Sequence, residues 1–111
     1  MSSSIRLAVD EVRTLGFAAI GAAYAGVGTR FEHPARIVFV QNLTDTLLMF
    51  SLDGTTDHFP LAPNGYLLLD ITTNKTQDSG LYIAEGSRLY VREIVSPTLG
   101  SVYLTLFYGE S

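Results

Sequence analysis

Residues 31–75 read FEHPARIVFVQNLTDTLLMFSLDGTTDHFPLAPNGYLLLDITTNK, and this stretch decides the fold class. Two apolar runs that are typical of strands are joined by residues 42–45, whose Asn-Leu-Thr-Asp sequence favours a turn. A second turn follows at residues 53–58 and a third at Pro63-Asn64-Gly65. Short apolar runs separated by such turns predict an antiparallel β-sheet.

The same pattern continues along the rest of the chain, where turn signals recur at the spacing of a β-sandwich or barrel. We therefore expect an all-β protein, an antiparallel and jelly-roll-like β-sandwich of about eight short strands. The four prolines fall at loops or strand ends, where a missing N–H donor is tolerated. The predicted strands are residues 16–24, 37–42, 46–52, 58–61, 66–71, 81–84, 88–94 and 102–108.

The first 15 residues are ambiguous. Ile5, Leu7 and Val9 alternate as in a strand, whereas the Asp-Glu-Val-Arg run at residues 10–13 could begin a helical turn. We interpret residues 1–15 as an extended arm or edge strand that reaches a neighbouring subunit. Residues 16–111 are then the single β-sandwich domain.

Residues 16–28 are rich in alanine and glycine, so that helix and strand compete. Each glycine inside a helix costs up to about 1 kcal/mol relative to alanine. We favour a strand, with a buried helix as the alternative. The apolar stretch at residues 15–27 is shorter than the roughly 20 residues that span a bilayer. The start of the chain also lacks the basic region and long apolar run of a secretory signal.

Composition narrows the class of protein. Of the 111 residues, 47% are hydrophobic and 16% are charged, which is typical of one folded domain and not of a disordered chain. The absence of cysteine excludes disulfides and thiol chemistry. The net charge is −4 and the seven basic residues are scattered, so we expect neither a nucleic-acid partner nor a membrane partner. A surface with so little charge is typical of chains that bind other protein chains, with a small monomer as the alternative.

Two histidine positions are candidate sites for a metal or a proton carrier. Asp53, Asp57 and His58 share one loop and offer the ligand types that divalent cations bind. Our interpretation is that Asp53 forms the turn with Gly54 and that Asp57 accepts bonds from backbone amides of the loop. His33 precedes a strand, and we interpret it as a turn histidine that packs on the sheet edge.

No nucleophile motif, phosphate loop or metal-ligand cluster stands out in the sequence. Glu85, Glu93 and Asp70 could be drawn as a glycosidase carboxylate pair, but nothing places them in a cleft. Asn42-Leu43-Thr44 and Asn74-Lys75-Thr76 match the N-glycosylation sequon, and we interpret both as turn residues. We therefore predict a protein without catalytic residues, metal or cofactor, and hence a non-enzyme.

Aromatic and aliphatic side chains are the candidate contact residues. Tyrosine is enriched at interfaces because its ring is apolar and its hydroxyl stays hydrated, with ordinary half-buried sheet positions as the alternative. The predicted interface residues are Ile5, Leu7, Val9, Phe17, Ile20, Tyr24, Tyr66 and Tyr103.

Short motifs, mostly at turns, also link residues 30–108 to a known group of proteins. They are His33-Pro34-Ala35-Arg36-Ile37, Gln41-Asn42-Leu43-Thr44-Asp45, the run from Phe50 to His58, Pro63-Asn64-Gly65, Thr73-Asn74-Lys75, Glu85-Gly86-Ser87 before Leu89-Tyr90-Val91, and the run from Pro97 to Tyr103. In these motifs the chain resembles small β-rich structural proteins of tailed bacteriophage virions. The resemblance covers roughly two thirds of the chain.

The resemblance implies a virion structural protein that acts through protein–protein contacts. Its expected place is capsid decoration or cementing, or the head–tail region. Its expected partners are copies of itself and other virion proteins, such as the major capsid, neck or tail proteins. The group offers no catalytic residues and no cofactor. The alternative is a carbohydrate- or receptor-binding β-sandwich module of a virion tail or fibre.

Overall fold

The computed structural model describes residues 6–70, 84 and 86–110. This part of the chain is all-β and forms two antiparallel sheets that pack as a sandwich. Within it, no helix has the length and apolar character needed to cross a membrane. The strands are β1 (Arg6–Val9), β2 (Arg13–Gly16), β3 (Ala25–Gly26), β4 (Ala35–Asn42), β5 (Leu48–Ser51), β6 (Phe59–Leu61), β7 (Tyr66–Asp70), β8 (Tyr90–Glu93) and β9 (Ser101–Glu110), and one 3-10 turn covers Phe17–Ala19.

The strand order is that of one long antiparallel hairpin, in which early strands pair with late strands and the hairpin folds into two sheets. Sheet A has the order β1-β9-β4-β7, with β2 pairing with β9 beside β1, and sheet B has the order β3-β8-β5-β6. The first strands pair with the last, β3 pairs with β8, β4 with β7 and β5 with β6. Successive pairs alternate between the two sheets. The two pairs of sheet A are joined because β4 also pairs with β9, and those of sheet B because β5 also pairs with β8.

The core lies between the sheets and follows the two-residue period of the strands. In β9 the alternate residues Val102, Leu104 and Leu106 are buried, and β4 buries Val38 and Val40 beside them. Fully burying side chains of this size contributes about 1.5–3 kcal/mol each. Sheet B and the connecting segments complete the core with Ile20, Val27, Phe31, Leu48, Phe50, Leu89 and Val91.

The predicted turns explain how the strands are joined. Gly65 N–H donates to the Ala62 carbonyl at 2.8 Å, and Asn64 has a φ of 66°. Pro63 precedes Asn64, so that this is a type II turn with proline and asparagine at its preferred positions. Pro60 lies in β6, which is an edge strand, where proline disrupts no inner ladder.

Most predicted strands are found close to their predicted positions, with one clear exception. The strand predicted at residues 16–24 is wrong, and so is the buried helix that was its alternative. This segment makes the short turn at Phe17–Ala19 and crosses from sheet A to sheet B, with only Ile20 inserted into the core. The alanines of this crossing are exposed, so its small side chains contribute little to the core. The strand predicted at residues 81–84 lies almost wholly outside the described residues.

The N-terminal residues form an edge of sheet A. β1 and β2 both pair with β9, and the boundary that we predicted at residue 15 falls inside β2. Of the two forms that we considered, arm or edge strand, residues 6–9 and 13–16 have the second. A contact between this edge and a neighbouring subunit stays a prediction.

Candidate functional site

Most side chains on the side of sheet A that faces away from the core are aliphatic or aromatic. Strand register assigns the side chains, because directly paired residues point to the same face. Phe39 pairs with Thr105 and with Leu68, and Phe107 pairs with Ile37 and Val9. We call this surface the outer face of sheet A; its residues are Leu7, Val9, Thr14, Gly16, Ile37, Phe39, Gln41, Tyr66, Leu68, Asp70, Ser101, Tyr103, Thr105, Phe107 and Gly109.

The outer face of sheet A is open to solvent. Tyr66 is 65% exposed, Val9 60% and Leu68 55%, while the aromatic residues on the inner strands are half-buried. The rings of Phe39 and Tyr66 meet edge to face, 5.8 Å apart. Asp70 is the one charged residue among those that define the face. An antiparallel sheet in a sandwich usually has a polar outer side, so the apolar outer face of sheet A indicates a binding surface.

The outer side of sheet B carries an ion pair. Arg92 in β8 contacts both oxygens of Asp57, with Nη2 2.7 Å from Oδ2 and Nε 3.3 Å from Oδ1. The Tyr24 hydroxyl donates to the same carboxylate, and the Arg92 guanidinium lies 5.7 Å from the centre of the Tyr24 ring. The hydrogen bonds from Arg92 and then from Tyr24 hold the pKa of Asp57 below its ordinary value. Burial, and then the bond to Asp57, raise the pKa of Tyr24.

A second apolar surface lies at one end of the sandwich, where the loops 43–47 and 94–100 meet. The Asp45 carboxylate accepts bonds from the backbone and hydroxyl of Thr98, and Thr46 Oγ1 donates to the Val95 carbonyl at 2.8 Å. These bonds fix two loops whose apolar side chains remain exposed. We call this surface the loop end; its exposed apolar residues are Leu43, Leu47, Ile94, Val95 and Leu99.

The structure brings four of the predicted interface residues together and separates the others. Leu7, Val9, Tyr66 and Tyr103 all lie on the outer face of sheet A. Ile5 lies outside the described residues. Of the remaining three, Phe17 is 38% exposed after β2, Tyr24 belongs to the polar network on sheet B, and Ile20 is 6% exposed. The interface prediction for Ile20 is wrong, because its side chain packs in the core.

The candidate metal ligands are each engaged elsewhere. Asp53 Oδ1 accepts from the backbone N–H groups of Thr55 and Thr56, both at 2.8 Å, as expected for a turn residue. These bonds, Thr56 first, hold the pKa of Asp53 well below its ordinary value. His58 Nδ1 accepts from the Leu52 N–H at 3.0 Å. Among the described residues, no group of three or more acidic, histidine or cysteine side chains could hold a metal ion.

Two interpretations of polar residues can now be judged. Asp57 was expected to accept bonds from loop amides, and this is wrong, because its carboxylate binds Arg92 and Tyr24 instead. The His33 ring stacks on Tyr108 of β9, with centres 3.9 Å apart, so that it packs on the sheet as expected, but on an inner strand and not at the edge. Of the carboxylates drawn as a glycosidase pair, Glu93 lies in sheet B and Asp70 in sheet A, and Glu85 lies outside the described residues.

Arg13 is the polar residue that sequence reasoning missed. It is 8% exposed, and Nε and Nη2 donate to the carbonyls of Thr29 and Arg30 at 3.0 and 3.1 Å. Nη1 lies 3.2 Å from the Asp10 carboxylate. A cleft of about 290 Å³ lies beside Arg13, lined in part by Asp10 and Glu32. Because the guanidinium is bound to carbonyls of its own chain, its role is to fasten the 28–31 loop to the edge of sheet A. The sequence around Arg13, which alternates with Thr14 and Gly16 in β2, did not indicate that this arginine would be buried.

Comparison with known proteins gives one likeness of fold. Neither a family model nor a curated protein matches the chain. A solved structure described as "Bacillus endospore appendages form a novel family of disulfide-linked pili" matches with a TM-score of 0.52 and 11% sequence identity. The match covers 98% of this chain and 93% of that chain. At this identity the likeness concerns the fold alone.

Proposed function

We propose that this chain is a non-enzymatic structural protein that works as one of many copies in an assembly. The observation that carries the proposal is the presence of two separate apolar surfaces, the outer face of sheet A and the loop end. One such surface suffices for a closed dimer. A subunit with two different contact surfaces can be joined into rings, shells or filaments.

The fold comparison supports the same proposal. The neighbouring structure belongs to appendages described as disulfide-linked pili, and the match extends over nearly the whole of both chains. We infer that the folded hairpin is a jelly roll, in which two sheets are built from eight strands and β1 and β2 share the place of one. The 111 residues contain no cysteine, so contacts between copies of this sequence depend on packing and hydrogen bonds.

The finer proposal follows from the resemblance to virion proteins. We place the chain in a tailed bacteriophage particle, where it decorates the capsid or joins head to tail. A surface appendage is the other kind of assembly that the fold supports. A carbohydrate- or receptor-binding module is the alternative that exposed aromatic residues and the loop from Asp53 to His58 suggest. The loop gives it less support, because the Asp53 and Asp57 carboxylates are occupied by partners within the chain.

The proposal is tested by the state of the protein in solution and in particles. Sedimentation velocity over a wide range of concentration should show dimers and then larger species, and electron microscopy should show regular assemblies. Quantitative mass spectrometry of purified virus particles and of surface appendages should find many copies in one of the two. A protein that stays monomeric at every concentration and is absent from both kinds of particle would overturn the proposal.

A further inference from the structure

We propose that the outer face of sheet A packs against the same face of a second copy, related to the first by a two-fold axis. This inference rests on the proposed function and names one of its contacts. The two sheets would lie about 10 Å apart, as sheets do inside a sandwich. Sheet A would then be buried on both sides, which explains why both of its faces are apolar.

The composition of the face suits a copy of itself. A two-fold contact places the same patch on both sides, so that any charge near its centre meets a like charge. The strands at the centre of the face are β9 and β4, which contribute Tyr103, Thr105, Phe107, Ile37 and Phe39. None of these five side chains is charged. Asp70 lies on the edge strand β7, at the rim of the face and away from its apolar centre.

The size of the face also suits a dimer. Four strands about 4.8 Å apart and about nine residues of length along β9 give a flat area of roughly 500 Å². Two such faces would bury roughly 1,000 Å² before the relief of the side chains is counted, which meets the lower bound of about 1,000 Å² expected of a biological interface. Aromatic residues at the centre and exposed aliphatic residues around them are the composition of an interface core.

Sheet B provides a comparison within the same molecule. Its outer side carries Arg92, bound to Asp57 and stacked on Tyr24, and a copy packed there would have to remove this ion pair from water. Such desolvation opposes association unless new partners replace the water. The structure therefore favours sheet A for the contact between copies.

The test uses lysine at two exposed positions on opposite edges of the face. Val9 and Leu68 are 60% and 55% exposed, so replacing them leaves the core intact. In the variant Val9→Lys/Leu68→Lys, we expect the dimer dissociation constant to rise at least 100-fold in sedimentation equilibrium. Ala22→Lys/Thr55→Lys is the matched control, because both residues are exposed and lie outside the two apolar surfaces. It should change the dimer constant less than threefold.

The possible outcomes separate this inference from the proposed function. A lysine pair that leaves the dimer unchanged, in a protein that still forms larger species, would overturn the sheet A contact and leave the structural role in place. A wild-type protein that is monomeric throughout would overturn both. Circular dichroism and the thermal midpoint, equal in all variants, would show that folding is unaffected.

Crosslinking gives a second and independent test, because the chain has no cysteine of its own. Thr105 lies at the centre of the outer face of sheet A, and the Thr105→Cys variant should join two copies through a short bismaleimide. Thr55→Cys, in the exposed loop beside sheet B, should not. Failure of Thr105→Cys to crosslink would overturn the proposal. In a monomer, a thiol that resists labelling would show that the same chain covers the face, and one that reacts freely would point to a different partner.

Discussion

Arg92 Nη2 lies 2.7 Å from Asp57 Oδ2, and this ion pair joins β8 to the loop between β5 and β6 across 35 positions of sequence. The Tyr24 hydroxyl completes the network by donating to the same carboxylate. Both charged side chains are accessible to water, with 28% and 46% of their surfaces exposed. The pair therefore fixes the position of the loop more than it stabilises the fold, since exposed ion pairs contribute little.

A double-mutant cycle on this pair should show a weak, salt-sensitive coupling. Asp57→Asn and Arg92→Gln should each lower the thermal midpoint slightly, and the double variant should lose less than the sum of the two. In 1 M salt the coupling should nearly vanish, because exposed charges are screened at short range. Thermal unfolding of the four proteins at low and high salt measures it. A coupling that is unchanged by salt would mean that the pair acts through packing of Arg92 on Tyr24.

Acid should destabilise the protein. Hydrogen bonds hold the pKa values of Asp45, Asp53 and Asp57 below their ordinary value of 3.8 in the folded protein. A carboxyl group with a lowered folded pKa stabilises the fold above its unfolded pKa, and this stabilisation is lost as the pH falls through the folded pKa. We expect the urea midpoint to be constant from pH 7 to about 5 and to fall steadily below about pH 4.

Asp53, the aspartate of the turn after β5, offers a control for this prediction. Asp53→Asn should lower the urea midpoint at pH 7 and flatten its fall in acid, because the variant has no proton to bind at this position. Glu32→Gln removes the same charge at an exposed position on another loop and controls for net charge alone. Equal acid profiles for the wild type and Asp53→Asn would contradict the assigned role of the turn.

Gly100 should tolerate no side chain, because the backbone of residues 43 and 44 lies too close to it. Gly86 has a similar φ without this contact and separates the two effects. Its φ is 90°, and a Cβ there would lie 2.8 Å from Thr44 Cα and would collide with the Leu43 carbonyl oxygen. Gly86 has nearly the same φ, 89°, but nothing lies within 4 Å of its Cβ position. Gly86→Ala should cost about 1 kcal/mol of backbone strain, and Gly100→Ala at least about 3 kcal/mol in total, since backbone must also move.

Chemical denaturation of the two variants provides the measurement. Because the backbone conformation is matched, the difference between them reports the close approach of the 43–44 backbone to Gly100. Equal losses would show that the loop end can shift to accept a methyl group. The loop end would then be softer than its hydrogen bonds indicate.

The turns were predictable from sequence because their chemistry is local. Proline at 63 and asparagine at 64 specify one turn type, and aspartate at 53 specifies another, whatever the surroundings. The strand at residues 102–108 was likewise predicted from its own sequence. The strand order then shows that Tyr103 and Phe107 lie on the outer face of sheet A.

Features that depend on distant pairing were not predictable. The path of residues 16–24 depends on Ile20, which fills a space in the core between the two sheets. The local sequence pattern cannot indicate that this space exists. Arg13 is buried because carbonyls 16 and 17 positions away bind its guanidinium. The two lysine test positions on sheet A are distant in sequence, so only the strand order shows that they share a surface.

Asn42 should be the polar residue whose amide the fold needs most. It is fully buried at the end of β4. Its Nδ2 donates to the carbonyls of Thr46 and Leu61, both at 2.9 Å, and of Ala62 at 3.2 Å, while Oδ1 accepts from the Thr44 N–H at 3.0 Å. One side chain thus joins the 43–47 turn to the end of β6.

Asn42→Asp keeps the shape of this side chain and replaces the group that donates to the carbonyls of Thr46, Leu61 and Ala62 by an acceptor. The second carboxylate oxygen would replace the amide NH2 group, whose two hydrogens are shared among three carbonyl oxygens, and would face those oxygens with no donor between them. The buried charge would also lack a positive partner. We expect a loss of at least about 3 kcal/mol at pH 7, larger than the loss of about 2 kcal/mol for Asn42→Ala, which removes hydrogen bonds without adding charge. Protonation should recover part of the difference as the pH is lowered.

Asn64→Asp is the matched control for the same chemical change at an exposed position. Asn64 has a positive φ, which aspartate adopts almost as readily as asparagine, so this variant should change stability by less than about 0.5 kcal/mol. Urea denaturation of the three variants at pH 7 and pH 5 decides the matter. If Asn42→Asp were no worse than Asn42→Ala, the amide would serve only to fill space, and the carbonyls of Leu61 and Ala62 would have to find other donors.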